Sequence, residues 1–166
     1  MKWITREKIK VDRVACPWLI RNFIDEQAQF VFLPPETDWS KIDSGIVFDV
    51  ANCELGHHGE DVSFNSILKK YRLADPALLL LGEIVRAADS RPGNPHPAGE
   101  GLRWIARGFG ALGSTDQEIL EREFIVYDAL YAECKYRVTK NKDAVVRKSW
   151  PETRPRSIFE ILSTIR

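Results

Sequence analysis

Three features of the sequence predict an α+β fold, predominantly helical, in which a small N-terminal sheet with one packed helix precedes a bundle of about four helices. Gln29 to Leu33 and Gly45 to Val50 are short apolar runs of strand length, rich in β-branched and aromatic residues. Asp75-Pro76 joins a capping acid to a proline suited to a first helical turn. Ser114-Thr115-Asp116-Gln117-Glu118 reads as a cap ahead of a long helix.

Taken in order, Trp3 to Arg6 is expected as a strand. A helix is expected to begin at Pro17, because proline's missing N–H has no helical partner at that position. Trp18, Leu19, Asn22 and Phe23 then fall on one mostly apolar face. Gln29 to Leu33 is a buried strand stopped by Pro34-Pro35, and Gly45 to Val50 is another. Ser63 caps a helix through Tyr71, and the helix from Asp75 runs to about Asp89. Ser90 to Glu100, with three prolines and two glycines, is expected to be a loop. Leu102 to Leu112 is the next helix, and the last reaches about Arg137.

With 166 residues, the chain is expected to form one domain over 1–138, large enough for a real core. The remainder, 139–166, is basic, then punctuated by Pro151 and Pro155, then apolar from Ser157 to Ile165. It is expected to be an arm that docks on the body or on a second subunit, so a homo-oligomer is one expected state. Formal net charge is zero, which argues against a nucleic-acid partner. No apolar run approaches a membrane span, and the charged N-terminus lacks a signal-peptide core, so a cytoplasmic location is expected. Cys16, Cys53 and Cys134 are odd in number and widely spaced, and are expected as three reduced thiols.

The segment richest in chemistry is Glu54-Leu55-Gly56-His57-His58-Gly59. It holds two of the three histidines, a carboxylate three residues earlier and a glycine on each flank. A turn built on those glycines could aim Glu54 and one or both imidazoles at one point. Asp89 extends the Leu78, Gly82, Val85 face of its helix, and Asp128 lies between Phe124 and Tyr131 on the last helix. A carboxylate on such a face needs a cation or donors. The metal-ligand set is therefore expected to be Glu54, His57, His58, Asp89 and Asp128, around zinc, manganese or iron. The alternative is that the histidines only hold their turn and the acids pair with arginine or cap backbone.

A second constellation is Asp12-Arg13-Val14-Ala15-Cys16-Pro17, with Arg21 beyond. Placed at a helix start, Cys16 would meet free N–H groups and have a lowered thiol pKa. Arg13, Cys16, Arg21 and Arg86 together are expected to take a small oxyanion such as chromate or sulfate. The alternative is a buried inert thiol with arginines paired to acids, including Arg86 with Asp89 one turn on. His96, between two prolines, is expected in solvent. No phosphate-cradling glycine loop and no Gly-x-Ser-x-Gly elbow occurs.

These blocks resemble a known family. Trp3-x-Thr5-Arg6 and Val11-Asp12-Arg13-x-Ala15-Cys16-Pro17-Trp18-Leu19-Ile20-Arg21-x-Phe23-Ile24-Asp25 are similar to the opening of the C-terminal domain of the ChrB chromate-resistance proteins. Glu54 to Gly59, Ser63-Phe64, Asp75 to Leu78, Ile84-Val85-Arg86-x-Ala88-Asp89 and Tyr127 to Tyr131 continue the match over roughly 2–135. The loop at 91–97 and the tail after Thr139 depart from the pattern. The resemblance implies a bacterial protein of the chromate response, a sensor or an accessory to efflux. It also implies that longer members carry a further N-terminal region. With the residues, it supports a metal- or oxyanion-binding role first. A metal-dependent enzyme, either a hydrolase with Glu54 or Asp128 as base or a manganese or iron redox enzyme, comes second. A purely structural ion cluster comes third.

Overall fold

The computed structural model describes residues 1–90 and 96–143. Three strands form a parallel sheet in the order β2-β1-β3, with β1 at Lys2–Arg6, β2 at Gln29–Leu33 and β3 at Ile46–Val47. Helix α1 (Val11–Phe23) connects β1 to β2, as parallel neighbours require a crossover. Four helices follow: α2 (Ser63–Lys70), α3 (Pro76–Asp89), α4 (Pro97–Ala111) and α5 (Asp116–Asp143). The architecture is the expected small N-terminal sheet with a predominantly helical remainder. Among the described residues no helix is long and apolar enough to cross a membrane.

Helix α1 is the hinge of the core. Nine of its residues from Val11 to Ile20 are buried, and it packs on α2, α3 and α5. Trp18 is 1% exposed and stacks edge-on to Phe23 and Tyr131, with Tyr127 tilted against it. Its indole N–H donates to Asp128 at 2.8 Å, and the Tyr127 hydroxyl donates to the Val11 carbonyl at 2.8 Å. These contacts fix α5 along α1. A Trp18→Ala change would cost about 3–5 kcal/mol, typical of a buried aromatic.

The start of α1 differs from the expected one. The helix begins at Val11, and Pro17 lies inside it. The amide missing at Pro17 is the one that would bond the Arg13 carbonyl, a loss of roughly 3 kcal/mol in an exposed helix. Here the flanking residues are almost wholly buried, and packing outweighs that local preference. Cys16 is consequently not at a helix start but well inside the helix.

Helix α3 has the expected cap: Asp75 accepts from the Ala77 amide at 2.8 Å, with Pro76 at the first position. Helix α4 begins earlier than expected, at Pro97. His96 caps it, its Nδ1 accepting from the Ala98 amide at 3.2 Å, so His96 is half-buried and engaged rather than free in solvent. Gly99 sits where a Cβ would lie 2.8 Å from that of Ala87, which lets α4 close against α3. Strand β3 is shorter than expected, because Asp49 turns the chain in a left-handed conformation (φ 48°). Helix α5 continues through Asp143, past the boundary expected at 138. The expected arm from 144 onward lies outside the described residues, as does the loop at 91–95.

Candidate metal centre

The C-terminal edge of a parallel sheet, where the chain leaves the strands, is the usual place for a binding site in open α/β sheets. Asp12 stands in the first turn of α1, just after β1, and Asp49 stands two residues after β3. Both are buried there, at 1% and 8% exposure. Asp12 is held by the start of α2. Its two carboxylate oxygens accept from the Ser63 amide at 2.7 Å and the Phe64 amide at 3.1 Å. Asp12 thus supplies the cap that Val62, the N-cap residue of α2, cannot. The Ser63 hydroxyl donates to Asp49 at 2.8 Å, so one serine fixes both acids.

The histidine turn supplies the third component. His58 and Asp61 exchange backbone hydrogen bonds, and Gly59 between them has φ 62°. Gly56 is needed for a different reason: a Cβ there would lie 2.9 Å from the Val50 carbonyl. Neighbouring side chains in extended backbone point to opposite faces. His57 accordingly turns inward and His58 outward.

His57 Nε2 lies 3.3 Å from Asp12, 3.3 Å from Asp49 and 3.5 Å from Asp89 at the end of α3. One N–H cannot point at three carboxylates, so this is not a simple ion pair. Asp12, His57 and Asp89 each offer one ligand atom, all within 4.8 Å of one another. An ion with bonds of about 2.1 Å to nitrogen and oxygen holds tetrahedral ligands about 3.4 Å apart. The distances from His57 Nε2 to Asp12 and Asp89 fit that, and two carboxylates with one imidazole suit a borderline divalent cation, with Asp49 outside this group but 3.3 Å from the same nitrogen.

The crowding shifts the acid–base behaviour of the cluster. The hydrogen bonds and charges of Asp12 and Asp49 raise the His57 pKa to about 10, against a smaller opposing effect of burial. Burial, then the charges of Asp12 and Asp49, lifts Asp89 to about 6. Burial also raises Asp12, with His57 opposing. At neutral pH the His57 proton is therefore the cation that holds the cluster together. Arg13 flanks it, Nε 3.7 Å from Asp49. Its Nε and Nη1 are buried with no hydrogen-bond partner among the described residues.

Of the residues expected from sequence, the structure brings together His57, Asp89 and Arg13, and leaves the others apart. Glu54 is exposed and pairs with Lys70. His58 is exposed, its Nε2 against the Glu54 carbonyl at 2.9 Å. Asp128 is an exposed acceptor for the Trp18 indole. Arg21 donates to the Ala28 carbonyl at 3.0 Å and stacks on Phe30 and Phe124. Arg86 is taken by Glu83 and faces Glu60 rather than Asp89. Cys16 is buried and donates to Asp12 at 3.4 Å; burial and that carboxylate push its thiol pKa well up, the reverse of the lowering expected at a helix start. Asp12 and Asp49 were missing from the expected ligand set. The readable signal was an acid just past each of two strands of a parallel sheet.

Residues 3–134 match the family model described as "ChrB, C-terminal domain". The chain is also 34% identical over 131 residues to Protein ChrB of Cupriavidus metallidurans, an alignment covering 78% of this chain and 40% of that protein. The chain thus spans less than half the length of this curated relative. No solved structure matches it.

Proposed function

The chain belongs to the family of ChrB C-terminal domains, and from that membership together with the acidic cluster we propose that it is a divalent-metal-binding sensor or accessory domain of the chromate response. Asp12, His57 and Asp89 hold the ion, with Asp49 beside them. The observation that carries this reading is the convergence of three carboxylates on one imidazole nitrogen at 3.3–3.5 Å. These residues come from α1, the loop after β3, the histidine turn and α3, four segments far apart in sequence. An ion bound among them ties the sheet edge to the helices, which is how occupancy becomes a change in rigidity that a partner can read.

The metal also decides whether an anion can enter. Without it, three carboxylates face one imidazolium and one guanidinium, a field that repels chromate or sulfate. A divalent ion displaces the His57 proton and leaves the cluster one charge more positive. An oxyanion then has the ion and Arg13 to meet. The residues expected to make an oxyanion site without metal are too dispersed for that.

An enzymatic reading is favoured by one observation. His57 remains 48% exposed, so the centre opens to solvent as catalytic metal sites do. In that case the ion would act as a Lewis acid on bound water. Glu54 pairs with Lys70 and Asp128 accepts from Trp18, so neither stands in the cluster as its base.

Elemental analysis of the untreated protein tests the metal reading. About one divalent ion per chain is expected, as purified or after loading with zinc, manganese or ferrous iron. A chain that retains none after all three loadings would remove it.

A further inference from the structure

A cavity of about 310 Å³ opens directly on the cluster. Asp49 and His57 form part of its wall, and Arg6, Pro35, Trp39 and Asn52 line it with the backbone segment at 50–51. Arg6 ends β1 at the same sheet edge as Asp49, and among the described residues it has no ion pair and no side-chain hydrogen bond. Its charge is near enough to Arg13 to be felt there, so two guanidinium groups serve one region and only Arg13 has an acid beside it. Trp39 is half-buried in a single 3₁₀ turn (Trp39–Lys41). Asn52 holds a left-handed turn (φ 62°) that brings backbone to the rim.

The cavity is larger than a bare tetrahedral ion. Liquid water takes about 30 Å³ per molecule, so the space corresponds to roughly ten non-hydrogen atoms. Its lining combines charged groups (Arg6, Asp49, His57) with an indole and a proline ring. Resting on the metal reading, we infer that this pocket binds a small organic anion: a carboxylate or phosphate group between the ion and Arg6, on a flat apolar body against Trp39 and Pro35. The ion and Arg6 supply the anion's charge partners, and the aromatic wall adds affinity for an organic anion over an inorganic oxyanion that meets the ion alone.

The test is calorimetric titration of the Mn²⁺-loaded full chain with phenyl phosphate, benzoate and inorganic phosphate, with Mn²⁺ occupancy measured on the same sample. Binding of phenyl phosphate, benzoate or both is expected, and which of them binds identifies the anionic group. Inorganic phosphate should bind at least about tenfold more weakly, and Arg6→Ala and Trp39→Ala should each weaken the organic anion by about tenfold while Mn²⁺ occupancy is kept. Chelated protein should bind neither. Full Mn²⁺ occupancy with no organic-anion heat would overturn the pocket while leaving the metal centre intact. Equal affinity for inorganic phosphate, insensitivity to both substitutions, or equal binding by chelated protein would also overturn it. Failure to bind Mn²⁺ would overturn both readings.

Discussion

His57 Nε2 lies 3.3 Å from the Oδ2 of Asp12, a carboxylate already gripped by two backbone amides of α2. The acid cannot swing away without uncapping a helix, and the imidazole is the movable partner, half in solvent. Metal binding at such a pair is a contest between an ion and a proton.

The sign of the pH dependence follows. The carboxylates of Asp12 and Asp49 raise the His57 pKa to about 10 without metal, so at pH 7 its proton must leave before the nitrogen can bind an ion. Affinity should rise about tenfold per pH unit between pH 7 and 9, with about one proton released per ion. Calorimetry in buffers of different ionisation enthalpy measures that proton. Metal-free protein should behave in the opposite way. A His pKa raised from 6.5 to about 10 gives stability that is complete below pH 6.5 and lost as pH rises through 10. Urea midpoints in chelator should fall across that window, and His57→Gln should flatten the fall.

Two acids of the cluster should respond oppositely to neutralisation. Asp89 meets His57 and a backbone amide at Asp12 but caps no helix, and burial with the charges of Asp12 and Asp49 raises its pKa to about 6. Asp89→Asn should raise metal-free stability at pH 8 by about 1 kcal/mol, a value already reduced for screening at the exposed part of the side chain. Asp12→Ala should lower it by about 2–4 kcal/mol, because two buried amides lose their acceptor. Denaturant melts in chelator separate the two.

Glu123 offers an independent check on burial. It is 0% exposed, both of its oxygens lack a hydrogen-bond partner among the described residues, and burial lifts its pKa to about 7. The folded state therefore binds this proton more tightly than the unfolded chain. Stability is complete below about pH 4.5 and lost as pH rises through 7. Glu123→Gln should be near neutral at pH 4 and stabilising by about 2–3 kcal/mol at pH 8, as read by thermal or urea unfolding.

Much of the fold was legible because local rules agreed with packing. Asp75-Pro76 caps α3 as its residues require, and Gln29–Leu33 is a strand with the expected bounds. Pro17 and Pro97 show where one rule splits. Proline's preference for a first turn holds at Pro97, though the prolines and glycines around it masked that start, and yields to burial at Pro17. The site was half-legible for a related reason. His57 and Asp89 stand out by composition and by helix face. Asp12 was hidden by a helix start set six residues late, and Asp49 by a strand drawn through Val50. Which of two adjacent histidines faces inward depends on backbone alternation after Gly56, which residue type alone does not encode.

Asp128, Glu54 and His58 supply the controls. Asp128→Ala should cost about 1 kcal/mol through the lost Trp18 bond and leave metal affinity unchanged. Glu54→Ala and His58→Ala should change neither by a measurable amount, since both are exposed. Urea melts and chelator competition on the same preparations check both statements.

The most direct measurement is chelator-competition titration of Mn²⁺ and Zn²⁺ into the wild type, His57→Ala and Asp89→Asn. One site per chain is expected, with each substitution weakening it by at least about a hundredfold, beyond the 10–100-fold typical of outer-shell changes. Wild-type protein that binds no ion, or substituted proteins that bind as tightly as wild type, would contradict a metal centre at these residues.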